Sequence, residues 1–204
     1  MRRLSNHAFL LSLPRVCDFL PGQCISLTTS EDLPPRSYSI ASGRSDSTWD
    51  ILFDVVPGGR LTPRLGAARP GDTLYVSPPF GEFRDEGGPS VWIATGTGIA
   101  PFVSMVRTHG SAGKRLIHGS RSLTGLFFLG DLQRTMGESY VPCCSAESAE
   151  GVFRGRVTAY LSRSRVNTAA RYLLCGSAEM VVEVRDLLLA GGVPFSQIGA
   201  EIYF

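Results

Sequence analysis

The sequence is poor in the residue patterns that metals, clusters and disulfides need. It has five cysteines and three histidines in 204 residues. Cys17, Cys24, Cys143, Cys144 and Cys175 make no C-x-x-C pair, and their odd number argues against a disulfide framework. His7, His109 and His118 are scattered without ligand spacing and read as structural or exposed, so no metal site is expected. Unpaired thiols fit a reducing cytoplasm. No apolar run reaches the roughly 18 residues of a membrane span. The opening stretch, MRRLSNHAFLLSLPR, is interrupted by Ser12 and Pro14 and does not read as a cleaved leader. Excess charge is also small: 20 Lys and Arg against 18 Asp and Glu leave a formal net charge of +2. A dedicated nucleic-acid binder usually shows a strongly basic face. The 23 glycines and 13 prolines follow no period, which excludes collagen-like and low-complexity chains.

What is present is a globular composition, 43% hydrophobic and 19% charged, with two rhythms along the chain. Residues 1–87 read as short strands, at 8–13, 23–28, 36–42, 48–56 and 72–77, bounded by PG, PP, GG and GD turns. A short helix fits 61–68. This half suggests a small antiparallel β-barrel. Its nine arginines, from Arg2 to Arg84, could steer an acidic partner. The polar stretch Arg84–Pro89 marks a domain boundary, and residues 88–204 then alternate strand with helix. Strands fit 91–95, 115–119, 140–145, 172–176 and 200–204. Helices fit 100–108, 130–136, 155–163 and 177–190. That alternation predicts a parallel sheet with helices on both faces, whose ligands sit at the carboxyl ends of the strands.

Two motifs stand out. GTGIAP, Gly96 to Pro101, follows an apolar strand and precedes a helix, where glycines admit a pyrophosphate to the helix N-terminus. It lacks the third glycine of the full dinucleotide fingerprint. Arg36-Ser37-Tyr38-Ser39 lies in the barrel half. With PGQ (21–23), LTPRL (61–65), GD (71–72), GSR (119–121), GR (155–156), CG (175–176) and a closing E-x-Y-F, these motifs stand in the order found in the ferredoxin–NADP reductase family, which the chain resembles over nearly its whole length.

The resemblance implies a role for each matching residue. Arg36 would neutralise the pyrophosphate of FAD, Ser37 would be among the cofactor-binding residues, Tyr38 would stack on the isoalloxazine, and Ser39 would sit near flavin N5. Phe53, Asp54 and Val55 would line the flavin. Arg60, Leu61 and Thr62 would hold its pyrophosphate. Thr97 and Gly98 would border both cofactors. Ser120, Arg121, Ser145 and Arg156 would take the adenosine end of NADP, and Cys175, Gly176 and Ser177 the nicotinamide end. Glu201 would set local polarity and relay a proton. Tyr203 and Phe204 would offer stacking faces. The implied catalytic set is Ser39, Cys175, Glu201 and Tyr203.

Three departures qualify the resemblance. Where a further phosphate-binding arginine is common, the chain reads Ser145-Ala146-Glu147, which keeps NAD open beside NADP. The first barrel strand is short, which predicts a partly open barrel. No insertion clamps the adenine, so a compact FAD is expected, with FMN as the alternative. The implied activity is electron transfer between NADPH and a one-electron carrier, an acidic ferredoxin or flavodoxin, by a monomer. Alternatives are an NADH-dependent reductase of an oxygenase, a free-flavin reductase, and a flavin- or nucleotide-binding subunit without turnover. A dihydroorotate-dehydrogenase-type subunit would need a C-terminal cysteine cluster, which is missing.

Overall fold

A computed structural model describes residues 1–203; the stacking role expected of Phe204 lies outside the described residues. The chain forms two compact units. Among the described residues, one comprises 1–84 with 100–108, the other 85–99 with 109–203.

The first unit contains β1 (Arg2–Arg3), β2 (Ala8–Pro14), β3 (Cys24–Thr28), β4 (Arg36–Ser39), β5 (Thr48–Asp54), α1 (Thr62–Ala67) and β6 (Tyr75–Val76). All its ladders are antiparallel, in two three-stranded sheets ordered β1-β2-β5 and β4-β3-β6. The sheets meet where the chain leaves β4. Ile40 makes an isolated bridge to Ile51, Ala41 N–H donates to the Asp50 carbonyl, and the Ser42 hydroxyl accepts from Asp50 N–H. The 36–42 strand read from the sequence is therefore shortened: at Ile40 the backbone changes partner from β3 to β5. Among the described residues the ladders form two antiparallel sheets linked by this bridge, in keeping with the antiparallel first half read from the sequence. The core gathers Leu11, Ile25, Leu27, Ile40, Trp49 and Ile51 from the sheets with Leu65 from α1. Also in this unit is α2 (Ala100–His109). Its Phe102 meets Phe83 edge-on at 5.8 Å, and its Ser104 hydroxyl donates to the Ser42 carbonyl at 2.7 Å.

The second unit opens with β7 (Ser90–Thr95), which runs into a 3-10 turn, Gly96–Ile99. Then follow β8 (Lys114–Ser120), α3 (Leu129–Met136), β9 (Tyr140–Cys144), β10 (Phe153–Arg154), α4 (Val157–Leu161), β11 (Arg171–Ser177), α5 (Ala178–Ala190) and β12 (Ile198–Tyr203). The six strands are parallel throughout, in the order β10-β9-β8-β7-β11-β12. Helices α4 and α5 bury their apolar sides on Ile93, Ile117, Cys143, Tyr172 and Leu174. Strand order reverses at β7, so the crevice at its carboxyl end is where a ligand is expected in such a sheet. Segment 85–90 is tied to the opposite end. Asp85 pairs with Lys114, whose side chain is 10% exposed and whose ammonium also donates to the Gly88 carbonyl at 2.7 Å. Arg171 pairs with Glu86. Among the described residues no helix is long and apolar enough to cross a membrane.

Candidate cofactor and dinucleotide sites

In the first unit the residues expected at a flavin come from β4, the end of β5 and the start of α1. Strand alternation leaves Tyr38 half-buried and Ser39 buried. The Tyr38 ring meets Phe53 edge-on at 6.3 Å, and Phe9 stacks on Phe53 at 5.8 Å. Burial pushes the Tyr38 phenol up to about 12, against the nearby Arg36 charge, so it stays protonated at neutral pH. The Ser39 hydroxyl lies 3.3 Å from Cys24 Sγ. Arg36 and Ser37 are exposed.

Burial also raises the Asp54 carboxyl, partly opposed by His7, whose Nε2 is 3.9 Å from Oδ1. That oxygen is buried without a hydrogen-bond partner. Beyond it, Val55 N–H donates to the His7 carbonyl. The Thr62 hydroxyl accepts from Val56 N–H at 2.9 Å, closing the loop that carries exposed Arg60, while Leu61 is buried in the core. Arg60 and Arg64 both act on one exposed carboxylate, Asp32, which the Ser30 hydroxyl chiefly holds below its usual range.

In the second unit the expected residues cluster at the carboxyl edge of the sheet. Register sets Cys175 opposite Glu201 on one side and Ala94 on the other. Cys175 is buried, and its thiol faces Glu201 Oε2 at 3.9 Å. Tyr203 lies opposite Ser177. The turn Gly96–Ile99 folds directly onto this edge. A Cβ on Gly98 would stand 2.3 Å from the Cys175 carbonyl oxygen, and one on Gly176 (φ +146°) would stand 2.3 Å from Thr95 Oγ1. These glycines are thus required by chain-to-chain contact, beyond any role toward a ligand. Ser177 caps α5, its hydroxyl accepting from Met180 N–H at 3.4 Å, and its own N–H donates to Thr95 Oγ1. Thr97 is half-buried in the turn.

The segments expected at the adenosine end are laced together by backbone. Ser145 N–H donates to the Ser120 carbonyl and Ala146 N–H to the Arg121 carbonyl. The Glu147 carboxylate accepts from Leu123 N–H at 2.7 Å. The Arg121 side chain is exposed. Arg156 is engaged otherwise: its guanidinium pairs with Glu179 at 2.7 Å and Glu183 at 3.5 Å, both on α5. Sequence reasoning missed these two glutamates. Their spacing of four on α5 places them on one helix face and was the available signal. It also missed Thr95, adjacent to GTG, and the pairing of His118 with Tyr140, which no local pattern announces.

The family described as oxidoreductase NAD-binding domain matches residues 92–186. The reductase component of propane 2-monooxygenase from Mycolicibacterium smegmatis is 32% identical over 91% of this chain and 59% of its own length. Ferredoxin–NADP reductase A of Sorangium cellulosum is 30% identical over 77% of this chain and 67% of its own length. A ferredoxin NADP+ reductase from Neisseria gonorrhoeae, solved with bound FAD and NADP, superposes with a TM-score of 0.86 at 23% identity, covering 98% of this chain and 94% of that one. The chain spans 59% to 62% of the length of the first three relatives it matches.

Proposed function

The chain belongs to the ferredoxin–NADP reductase family, and we propose that within it this protein passes electrons from a reduced nicotinamide dinucleotide, through FAD, to a ferredoxin-type one-electron carrier that serves an oxygenase. The observation that carries the reading is the pairing of Cys175 with Glu201 under the Gly96–Ile99 turn, at the reversal of strand order in a sheet of the NAD-binding family. Relatives named as reductase or electron transfer components of oxygenases support the acceptor class.

The residues present fit a flavin nucleotide. The first unit offers an aromatic face at Tyr38 and a buried hydroxyl at Ser39. It also has a buried acceptor without a hydrogen bond at Asp54 Oδ1 and guanidinium groups at Arg36, Arg60 and Arg64. Bound FAD would supply the chemistry, accepting one hydride and releasing its two electrons singly. Tyr38 and Phe53 would hold the ring plane, Arg36 and Arg60 the phosphates, and Asp54 a sugar-alcohol hydroxyl. Cys175, small and polarisable, would meet the nicotinamide without blocking it, with the Glu201 carboxylate beside it to hold a proton. Five thiols, none in a disulfide, support a reducing, cytoplasmic setting for this work.

Arg121 and Arg156 suggest NADPH. One observation favours NADH instead: Arg156 is already engaged by Glu179 and Glu183, and Glu147 adds a third carboxylate to the same edge. A 2′-phosphate must compete with carboxylates there, while a ribose hydroxyl can donate to one. We take NADH as the preferred donor. Anaerobic mixing of the FAD-loaded protein with each dinucleotide tests this. Faster flavin bleaching by NADH, followed by reduction of an added ferredoxin, is the expected result. Bleaching by neither dinucleotide refutes the enzyme reading.

A further inference from the structure

Strand β8 carries a buried imidazole that no step above uses. His118 is fully buried. Register places it in one cross-sheet row with the candidate site: Glu201 opposite Cys175, Cys175 opposite Ala94, and Ala94 opposite His118. Residues opposed in a parallel ladder share a face, so His118, Cys175 and Glu201 lie on the same side of the sheet, with the small Ala94 between the first two. The Gly96–Ile99 turn spans this row. Gly98 rests on the Cys175 backbone, and the Gly96 backbone faces the His118 imidazole. On the ring's other side, Nδ1 lies 3.0 Å from the Tyr140 hydroxyl. Nε2 is buried without a formed hydrogen bond. Its near polar neighbour is the Gly96 backbone, so the nitrogen has a candidate partner in the turn.

We propose that His118 is a positioning residue of the dinucleotide site: held at Nδ1 by Tyr140, it presents Nε2–H to the Gly96 carbonyl and so sets the seating of the turn over Cys175. The inference rests on the dinucleotide reading above. Burial holds the imidazole neutral at physiological pH, with its pKa near 4, so one ring nitrogen must accept while the other donates. In this proposal the Tyr140 hydroxyl donates to Nδ1, which selects the tautomer with hydrogen on Nε2. When the turn engages a dinucleotide its amides are held outward. The inward Gly96 carbonyl then needs a donor, and the Nε2–H bond closes onto it.

The test uses the FAD-loaded protein with 15N-labelled histidine. At pH 7 the His118 signals should show hydrogen on Nε2, and that N–H resonance should move downfield as NAD+ is added. By calorimetric titration, His118→Leu should bind NAD+ about tenfold more weakly, because the carbonyl loses its donor. His118→Gln, whose amide reaches the Nε2 position, should stay within threefold of wild type. Should the leucine variant not fold, Tyr140→Phe, which keeps ring and volume, must lower the affinity at least threefold. Hydrogen on Nδ1, or unchanged affinity in both His118→Leu and Tyr140→Phe, overturns the proposal while leaving the dinucleotide reading intact. Wild-type protein that binds neither NAD+ nor NADP+ overturns both.

Discussion

Freeing Arg156 should convert the dinucleotide preference. Its two partners on α5 are surface carboxylates, with Glu179 63% exposed and Glu183 41% exposed, at 2.7 and 3.5 Å from a guanidinium that is itself 57% exposed. An exposed pair of this kind is worth about 0.2–1 kcal/mol. Two of them impose roughly 0.4–2 kcal/mol on any phosphate that recruits Arg156, which is about a 2- to 30-fold handicap. The double variant Glu179→Gln, Glu183→Gln removes that handicap and two negative charges while preserving side-chain size. Steady-state assays with a ferredoxin acceptor should show kcat/KM for NADPH rising by that factor, with kcat/KM for NADH within twofold. Because the pairs are exposed, the gain should shrink at high salt. An unchanged NADPH value refutes the assignment of Arg156 to the phosphate end. A parallel change for both donors would mean that the substitutions act on the fold instead.

Other consequences concern stability and the turn. Lys114→Met removes the cation from a pair whose members are 10% and 7% exposed, leaving Asp85 buried and uncompensated. Urea unfolding should show a loss of about 3–5 kcal/mol, largely restored in the Asp85→Leu, Lys114→Met double variant. Gly98→Ala places a methyl 2.3 Å from the Cys175 carbonyl oxygen, so the turn must lift. Stability should fall by about 1–3 kcal/mol, and NADH affinity with it; wild-type affinity by fluorescence titration would contradict the close packing. For His118 the folded pKa of about 4 lies below the ordinary 6.5. Its contribution is therefore fully present above pH 6.5 and is lost as pH falls from there toward 4, by roughly 3 kcal/mol at most. Comparing wild type with His118→Gln at pH 7.5 and 4.5 checks this, since the variant should lack that part of the acid sensitivity.

Much of this protein was legible in its sequence because the signals were local. Alternating polarity and turn pairs located β2, β3 and β5, and apolar runs split by glycines located β7, β8 and β11. The motif order was enough to indicate the family and to nominate Tyr38, Ser39, Cys175 and Glu201. Where a strand changes partner, as at Ile40, or starts late, as at Tyr75, the cause is a neighbour far along the chain, and periodicity carries no record of it.

The rest belongs to tertiary structure for the same reason. Cys175 and Glu201 are 26 residues apart, and only the β11–β12 register brings thiol and carboxylate together. Gly98 looks like a ligand-facing glycine in sequence, yet the Cys175 carbonyl against it already forbids a side chain. Arg156 reads as a phosphate ligand in sequence, and only the fold shows Glu179 and Glu183 competing for its guanidinium. His118 reads as an isolated histidine until β9 brings Tyr140 to its ring. Composition and spacing decide which residues can do chemistry. Which of them remain available to do it depends on partners that only the folded sheet supplies.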